Sequence, residues 1–157
     1  TLIESIRSLK YLNVNYATVH LLSGLDALKK ANKAAREINL KILGVSVLTS
    51  FNDEDLKSLG FNNKVEDQVK KLIKIAVDAK LYGVICSPLE VKMIKGIAPN
   101  LKCFTPGIRM GDAKDDQKRT MNANEAIKEG SDCLIIGRPI TSGDPKKNIK
   151  YIHSSIE

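Results

Sequence analysis

Apolar residues along this chain follow two patterns, a helical period and short unbroken runs. Leu25, Leu28 and Ala31 continue at helical spacing to Ile38, which predicts an amphipathic helix over residues 25–39. Unbroken runs such as KILGVSVL instead indicate strands that are buried on both faces of a sheet. The predicted strands cover residues 16–24, 41–50, 82–88, 101–109 and 132–140. The predicted helices cover residues 2–9, 25–39, 52–60, 65–76, 89–97, 122–130 and 144–156.

Helices and strands alternate along the whole chain, an order that is typical of a parallel α/β protein. The even rhythm of this alternation favours a (β/α)8 TIM barrel over a doubly wound sheet. About five of the eight strand–helix units are present, too few to close a barrel. We therefore expect residues 1–157 to form a single domain, the C-terminal portion of a TIM barrel whose opening units precede Thr1.

The composition describes a globular protein rather than a disordered one, with 43% hydrophobic and 27% charged residues. No run approaches the roughly 18 apolar residues of a membrane span. Since no signal-peptide pattern opens the chain either, we expect a cytoplasmic protein without a membrane partner. The net charge of +7 comes from lysines spread over every helical segment, and the few aromatic residues form no stacking series. A solvated basic surface is therefore favoured over nucleic-acid binding.

The three cysteines, Cys86, Cys103 and Cys133, each lie in an apolar run. Their number is odd, no C-x-x-C occurs, and no histidine lies at a metal-ligand spacing from them. We expect buried free thiols in a reducing compartment rather than disulfides or a metal site.

Two of the apolar runs carry a glycine followed closely by an arginine, LKCFTPGIR with Arg109 and DCLIIGRPI with Arg138. Parallel strands joined by a crossover helix would bring both arginines to the C-terminal edge of the sheet. Glycine lets a ligand approach the backbone, and a guanidinium beside backbone N–H groups suits a phosphate. Two alternatives stay open: Arg138 as a plain surface residue, and Arg109 as the ion-pair partner of Asp112, Asp115 or Asp116.

Five segments, in order and at matching spacing over essentially all of residues 1–157, resemble orotidine 5′-phosphate decarboxylase in its bacterial form. The segments are VLTS (47–50), CSP (86–88) with Glu90, TPGIR (105–109), DDQKR (115–119) and IIGRPIT (135–141). The resemblance implies a TIM barrel and a carboxy-lyase of pyrimidine biosynthesis that converts orotidine 5′-phosphate to uridine 5′-phosphate.

The same resemblance implies roles for particular residues of this chain. Arg138, the N–H of Gly137, Gln117 and Arg109 would bind the 5′-phosphate. Thr49 and Ser87 would meet the pyrimidine ring, although Thr49 is alternatively a plain strand-end cap. The remaining implied contacts are Pro106, packed on the ring, and Thr1, reaching the ribose bound by the other subunit of a homodimer. The segment from Gly111 to Arg119 has the composition of a loop that closes over a site.

Thr1 resembles the last residue of the family's catalytic motif, Asp-x-Lys-x-x-Asp-Ile-Pro-Asn-Thr. The resemblance therefore implies that the catalytic lysines and aspartates lie upstream of Thr1, and that this chain carries the binding residues only. It also implies that the reaction uses neither a cofactor nor a metal ion.

Two other functions remain possible at this point. One is a sugar-phosphate enzyme on the same barrel, such as a hexulose-phosphate synthase, although VLTS and TPGIR argue against it. The other is a truncated, non-catalytic protein that keeps phosphate binding or serves as an interaction partner, which analogy of fold alone does not exclude.

Overall fold

A computed structural model describes residues 1–110 and 119–156 of the chain. The strands are β1 (Tyr16–His20), β2 (Lys41–Val45), β3 (Gly83–Ile85), β4 (Lys102–Thr105) and β5 (Cys133–Leu134). The helices are α1 (Leu2–Ser8), α2 (Leu25–Glu37), α3 (Asp53–Ser58), α4 (Val65–Asp78), α5 (Val91–Ile97), α6 (Ala123–Lys128), α7 (Arg138–Thr141) and α8 (Pro145–Ile156). Short 3-10 helices lie at Leu9–Tyr11, Leu21–Ser23 and Pro88–Glu90.

The described strands form one parallel five-stranded sheet in the order β1-β2-β3-β4-β5. Each strand pairs with the next one along the chain, and the order never reverses. A doubly wound sheet needs such a reversal, whereas a barrel is built by adding each unit on the same side. The topology therefore confirms the prediction of part of a (β/α)8 barrel.

The main hydrophobic core lies between this sheet and helices α2, α4 and α5. Strand residues Ile42, Val84 and Cys103 are 0% exposed and belong to the same cluster as Leu28 and Ile73 of the helices. Small side chains at the buried positions of α2, which include Ala31 and Ala35, let that helix approach the sheet closely. A second, smaller cluster joins Ile108, Ala123, Ala126 and Ile152 beyond the end of β4.

The predicted strands were too long at their C-terminal ends. After His20 the chain turns into the 3-10 helix Leu21–Ser23, and the segment after Val45 is an irregular loop. The apolar run alone does not mark the strand's end, because Ser46 and Val47 are buried in the loop as well. Arg138, expected inside the last strand, instead begins α7, where Pro139 has no N–H to contribute to a sheet.

Two smaller predictions also need correction. The spacing of Asn122 and Glu125 in the sequence predicts a capping box at the start of α6, but only half of it forms: Asn122 accepts a hydrogen bond from the N–H of Glu125 at 2.9 Å, and the reciprocal bond is not formed between these two residues. Cys86 and Cys103 are buried free thiols as predicted, whereas Cys133 is only half-buried.

In the part of the chain that is described, no helix has the length and apolar character needed to cross a membrane.

Candidate functional site at the carboxyl ends of the strands

The predicted binding residues follow the carboxyl ends of four neighbouring strands. Thr49 follows β2, Ser87 follows β3, Pro106 and Arg109 follow β4, and Gly137 and Arg138 follow β5. In a parallel sheet these ends share one edge, which is where barrel enzymes place their active sites. We call this edge the rim. The prediction that Arg109 and Arg138 would reach the same edge of neighbouring strands is confirmed by the pairing of β4 with β5.

Ser87 is held rigidly where β3 ends. It is 0% exposed and begins the 3-10 helix Pro88–Glu90, which Pro88 favours by its fixed φ. Its N–H donates to Glu90 Oε2 at 3.0 Å, and its Oγ accepts from the N–H of Leu89 at 3.3 Å. The Ser87 hydroxyl also donates to the carbonyl of Arg119 at 3.3 Å, which ties β3 to the segment after β4.

Thr49 lies in the loop between β2 and α3 and is 8% exposed. The backbone just before it is fixed by Arg119, whose Nη2 donates to the carbonyls of Val47 at 3.2 Å and Leu48 at 2.8 Å. The loop then ends in a capping box, in which Asn52 and Asp55 exchange hydrogen bonds of 2.9 and 2.8 Å at the start of α3. Thr49 is thus placed between two anchored backbone segments.

The segment after β4 turns at Gly107, whose φ of +80° lies in the left-handed region that favours glycine. Beyond this turn, the N–H of Arg109 donates to the carbonyl of Met121 at 3.0 Å, and the N–H of Met121 donates to the carbonyl of Gly107 at 3.2 Å. Arg109 itself is 8% exposed, and its Nη1 donates to the carbonyl of Ile108 at 2.8 Å. Pro106 is half-buried beside it.

Gly137 and Arg138 form the next part of the rim, and both are exposed. Gly137 caps α7, and its carbonyl accepts hydrogen bonds from Ile140 at 2.8 Å and Thr141 at 3.1 Å. Arg138 is the first residue of α7. Arg109 after β4 is therefore buried, whereas Arg138 after β5 is exposed.

The other two predicted residues are less completely placed. Thr1 is exposed and precedes α1, and its carbonyl accepts from the N–H of Ser5 at 2.9 Å. Arg7 near the end of α1 pairs with Glu37 at the end of α2 at 3.5 Å, so Thr1 lies toward the other end of α2, which begins after β1 on the side of the rim. Gln117, together with most of the predicted closing loop, falls in residues 111–118, outside the described part of the chain.

Glu90 and Arg119 were predicted only as members of the family segments, with Arg119 as the end of the closing loop, and neither was assigned an individual role, yet these residues connect the rim. Arg119 Nη1 donates to Glu90 Oε1, and their side chains are 14% and 6% exposed, respectively. Burial lowers the pKa of the Arg119 guanidinium, an effect that Cys86 and Asp53 oppose, and the group stays charged at neutral pH. The sequence carried one local signal for the contact between Glu90 and Ser87, because these two residues have the spacing of a capping box.

Nothing in residues 1–110 and 119–156 groups three or more His, Cys, Asp or Glu side chains in a way that could hold a metal ion. The described rim is instead a set of hydroxyl, guanidinium and backbone groups. Such groups recognise anions and planar polar rings through oriented hydrogen bonds.

Comparison with known proteins decides the family. The model of the orotidine 5′-phosphate decarboxylase / HUMPS family matches residues 1–152. The chain belongs to this family. Among curated members, the orotidine 5′-phosphate decarboxylase of Wolbachia pipientis subsp. Culex pipiens (strain wPip) is 39% identical over 158 residues, covering 99% of this chain and 70% of the relative. That of Prochlorococcus marinus (strain MIT 9312) is 44% identical over 157 residues, covering 93% of this chain and 65% of the relative.

Solved structures of the family agree with the fold. The orotidine 5′-phosphate decarboxylase of Lactobacillus acidophilus superposes with a TM-score of 0.83 at 30% identity, over 99% of this chain and 69% of that one. The orotidine 5′-monophosphate decarboxylase of Sulfolobus solfataricus matches with a TM-score of 0.74, and at 15% identity this likeness concerns the fold alone. The chain thus spans about two thirds of the length of these family members.

Proposed function

We propose that the chain forms the substrate-holding part of an orotidine 5′-phosphate decarboxylase, which produces uridine 5′-phosphate. The observation that carries this proposal is the shared rim, where TPGIR and GRPIT follow the ends of the paired strands β4 and β5. The family match over residues 1–152 and relatives of that name at 39 to 44% identity support it.

In this proposal the 5′-phosphate binds beside β5. Arg138 is exposed at the start of α7 and can present its guanidinium to a dianion, with the N–H of Gly137 as a backbone donor. Arg109 and Gln117 complete the phosphate site from the segment after β4. The net charge of +7 also favours the approach of an anionic nucleotide.

The pyrimidine ring binds toward β2 and β3, where Thr49 and Ser87 offer hydroxyl and backbone groups and Pro106 offers an apolar surface. Ser87 is 0% exposed, and its N–H and hydroxyl hydrogen already bind Glu90 and Arg119, so what supports the assignment is the fixed backbone that these bonds give to the end of β3. The spacing of strand ends along the rim thereby separates the base from the phosphate.

Decarboxylation breaks the bond between C6 and the carboxylate, releases CO2 and leaves an electron pair at C6 that a proton then occupies. In the family, charged Asp and Lys groups disfavour the carboxylate, and a lysine supplies the proton. Residues 1–157 contain no Asp-x-Lys-x-x-Asp sequence, so we assign no catalytic role to them. Their contribution is binding energy from the remote phosphate, which stabilises the closed site around the reacting ring.

We further propose that the protein is a cytoplasmic homodimer in which Thr1 contacts the ribose bound by the partner subunit. The exposed position of Thr1 toward the rim supports a contact outside its own subunit. Sedimentation of the complete protein, with whatever sequence precedes residue 1, tests the dimer: a monomer at assay concentration contradicts it.

A sugar-phosphate activity is the second candidate, because the family description also names HUMPS. The two are separated by ligand stabilisation, since a ligand raises the melting temperature of the state that it binds. Uridine 5′-phosphate should raise the Tm of the complete protein, and a hexulose phosphate should not. The reverse order would favour the sugar-phosphate enzyme.

The decisive assay measures turnover of orotidine 5′-phosphate by the complete protein and by its Arg138→Ala variant. Loss of a bidentate phosphate contact should lower kcat/KM by about 100-fold or more, since removal of a single strong electrostatic contact costs about 3–4 kcal/mol. The Tm should barely change, because Arg138 is exposed. Arg36→Ala, at an exposed site in the last turn of α2, is the matched control and should keep wild-type kinetics. Near-normal kcat/KM in Arg138→Ala would remove Arg138 from the site.

A further inference from the structure

A buried ion pair lies under the rim, between Arg119 and Glu90. The side chains are 14% and 6% exposed, so both charges have lost most of their hydration. Burying such a pair contributes little to stability on average, and apolar residues of similar volume often do as well. The groups that this pair holds in place therefore matter more than its own contribution to stability.

Arg119 connects strand ends that are far apart in sequence. Its Nη2 donates to the carbonyls of Val47 and Leu48, in the loop that carries Thr49. The planar guanidinium fixes the direction of these bonds together with the bond from Nη1 to Glu90. A lysine has a single point of charge and could not reproduce this fork.

Glu90 carries the connection to the end of β3. Its Oε1 accepts from Arg119, while its Oε2 accepts from the N–H of Ser87 at 3.0 Å. The Ser87 hydroxyl completes this set of hydrogen bonds by donating to the Arg119 carbonyl at 3.3 Å. Ser87, Glu90 and Arg119 thus form a ring of hydrogen bonds, and a shift of any one of them moves the other two.

Arg119 is also the first described residue after the segment that contains Gln117. Two residues further on, Met121 is bound to the backbone of Gly107 and Arg109 by bonds of 3.2 and 3.0 Å. The C-terminal base of that segment is therefore anchored to the ends of β2, β3 and β4 together. The segments after β2, β3 and β4 therefore meet at residues 119–121, through the Arg119 guanidinium and carbonyl and the Met121 backbone.

We propose that Arg119, oriented by Glu90, is a positioning residue for the nucleotide site: it holds Thr49, Ser87 and the backbone of residues 119–121 in one arrangement before substrate binds. The proposal rests on the proposed function of the rim, and it concerns residues that touch the substrate only through others. Such preorganisation matters because a displacement of about 1 Å at a reacting site can cost about 100-fold in rate.

The test separates positioning from stability by a double substitution in the complete protein. Arg119→Met alone leaves Glu90 buried without its cation, so it should lower the Tm strongly. Arg119→Met combined with Glu90→Leu removes both charges and should recover part of the Tm, the rest being lost because the Ser87 N–H and the Val47 and Leu48 carbonyls lose their partners. If the pair positions the site, kcat/KM of this double variant stays depressed by about 100-fold or more, mainly in kcat, and Arg119→Lys does not rescue it.

Asp132→Asn serves as the control for lost stability, because Asp132 pairs with Lys102 at the start of β4, on the edge opposite the rim. It should lower the Tm and keep wild-type kcat/KM. A double variant whose kcat/KM recovers along with its Tm would overturn the positioning role and leave the proposed function standing. A wild-type protein that neither decarboxylates orotidine 5′-phosphate nor binds uridine 5′-phosphate would overturn both.

Discussion

Asp132, just before β5, shows how single side chains hold the strands together at the edge opposite the rim. Its carboxylate accepts from Lys95 Nζ at 2.6 Å, from Lys102 Nζ at 2.8 Å and from the N–H of Cys103 at 2.8 Å. Partial burial raises the pKa of Asp132, but the hydrogen bonds from Lys102, Lys95 and Cys103 outweigh it, and the pKa falls from 3.8 to about 2. The ionised carboxylate therefore joins α5, β4 and β5.

Because the pKa of Asp132 is lower in the folded state, the ionised group stabilises the fold above about pH 4, and this stabilisation is lost as the pH falls toward 2. Asp132→Asn should lower the free energy of unfolding at pH 7 by about 1–2 kcal/mol. This magnitude is that of hydrogen bonds to a charged group, reduced because the side chain is partly exposed. Urea titrations at pH 7, 5 and 3 check this. The gap between variant and wild type should be constant from pH 7 to 5 and smaller at pH 3.

Asp26→Asn is the matched control, since Asp26 pairs with Lys30 on the surface of α2 and its side chain is 81% exposed. Its effect should stay within about 0.5 kcal/mol at each pH. An Asp132→Asn gap that is as large at pH 3 as at pH 7 would show that the ionised carboxylate is not what stabilises this edge.

For individual residues, the sequence predicted positions that depend only on the order of neighbouring residues along the chain. The glycine–arginine pairs predicted which side chains follow strand ends, and β4 and β5 place Arg109 and Arg138 accordingly. Arg119 was assigned no role, because its partners lie 29 to 72 positions away in the chain. No period or motif encodes such a contact without the fold.

At the scale of elements, glycines decide how closely neighbouring strands can approach. A Cβ added at Gly83 in β3 would lie 2.5 Å from the carbonyl oxygen of Lys102 in β4, which the paired backbone cannot easily avoid. The strands are short, because strand pairing ends where the loops of the rim begin. Apolar runs predicted the existence and order of the five described strands but not their ends, since loop residues such as Val47 are apolar and buried as well.

Gly83→Ala should therefore destabilise the protein by about 1–3 kcal/mol, as expected when a packed interior is overfilled. Thermal or urea unfolding of the complete protein measures this. Gly96→Ala is the matched control in α5, where an added Cβ meets no atom within 4 Å, and alanine should be neutral or stabilising by up to about 1 kcal/mol. Equal stability of the two variants would contradict the close approach of β3 and β4.

At the scale of the whole molecule, the sequential strand order places the described ends of β2, β3, β4 and β5 along one edge of the sheet. Within the described residues, β1 pairs with β2 alone and β5 with β4 alone, so the five strands form an open arc of an eight-stranded barrel. The order along the rim follows from topology: the residues proposed to bind the base follow β2 and β3, and those proposed to bind the phosphate follow β4 and β5. Alternation of strands and helices predicted this arrangement, because sequential parallel pairing leaves few other solutions.

The central claim is that the rim binds a nucleotide through its phosphate at Arg138. Calorimetric titration of the complete protein with uridine 5′-phosphate and with uridine, for wild type and Arg138→Ala, tests it most directly. Wild type should bind uridine 5′-phosphate far more tightly than uridine, and Arg138→Ala should lose most of this preference while its weak affinity for uridine is unchanged. A variant that prefers uridine 5′-phosphate as strongly as wild type does would contradict the account.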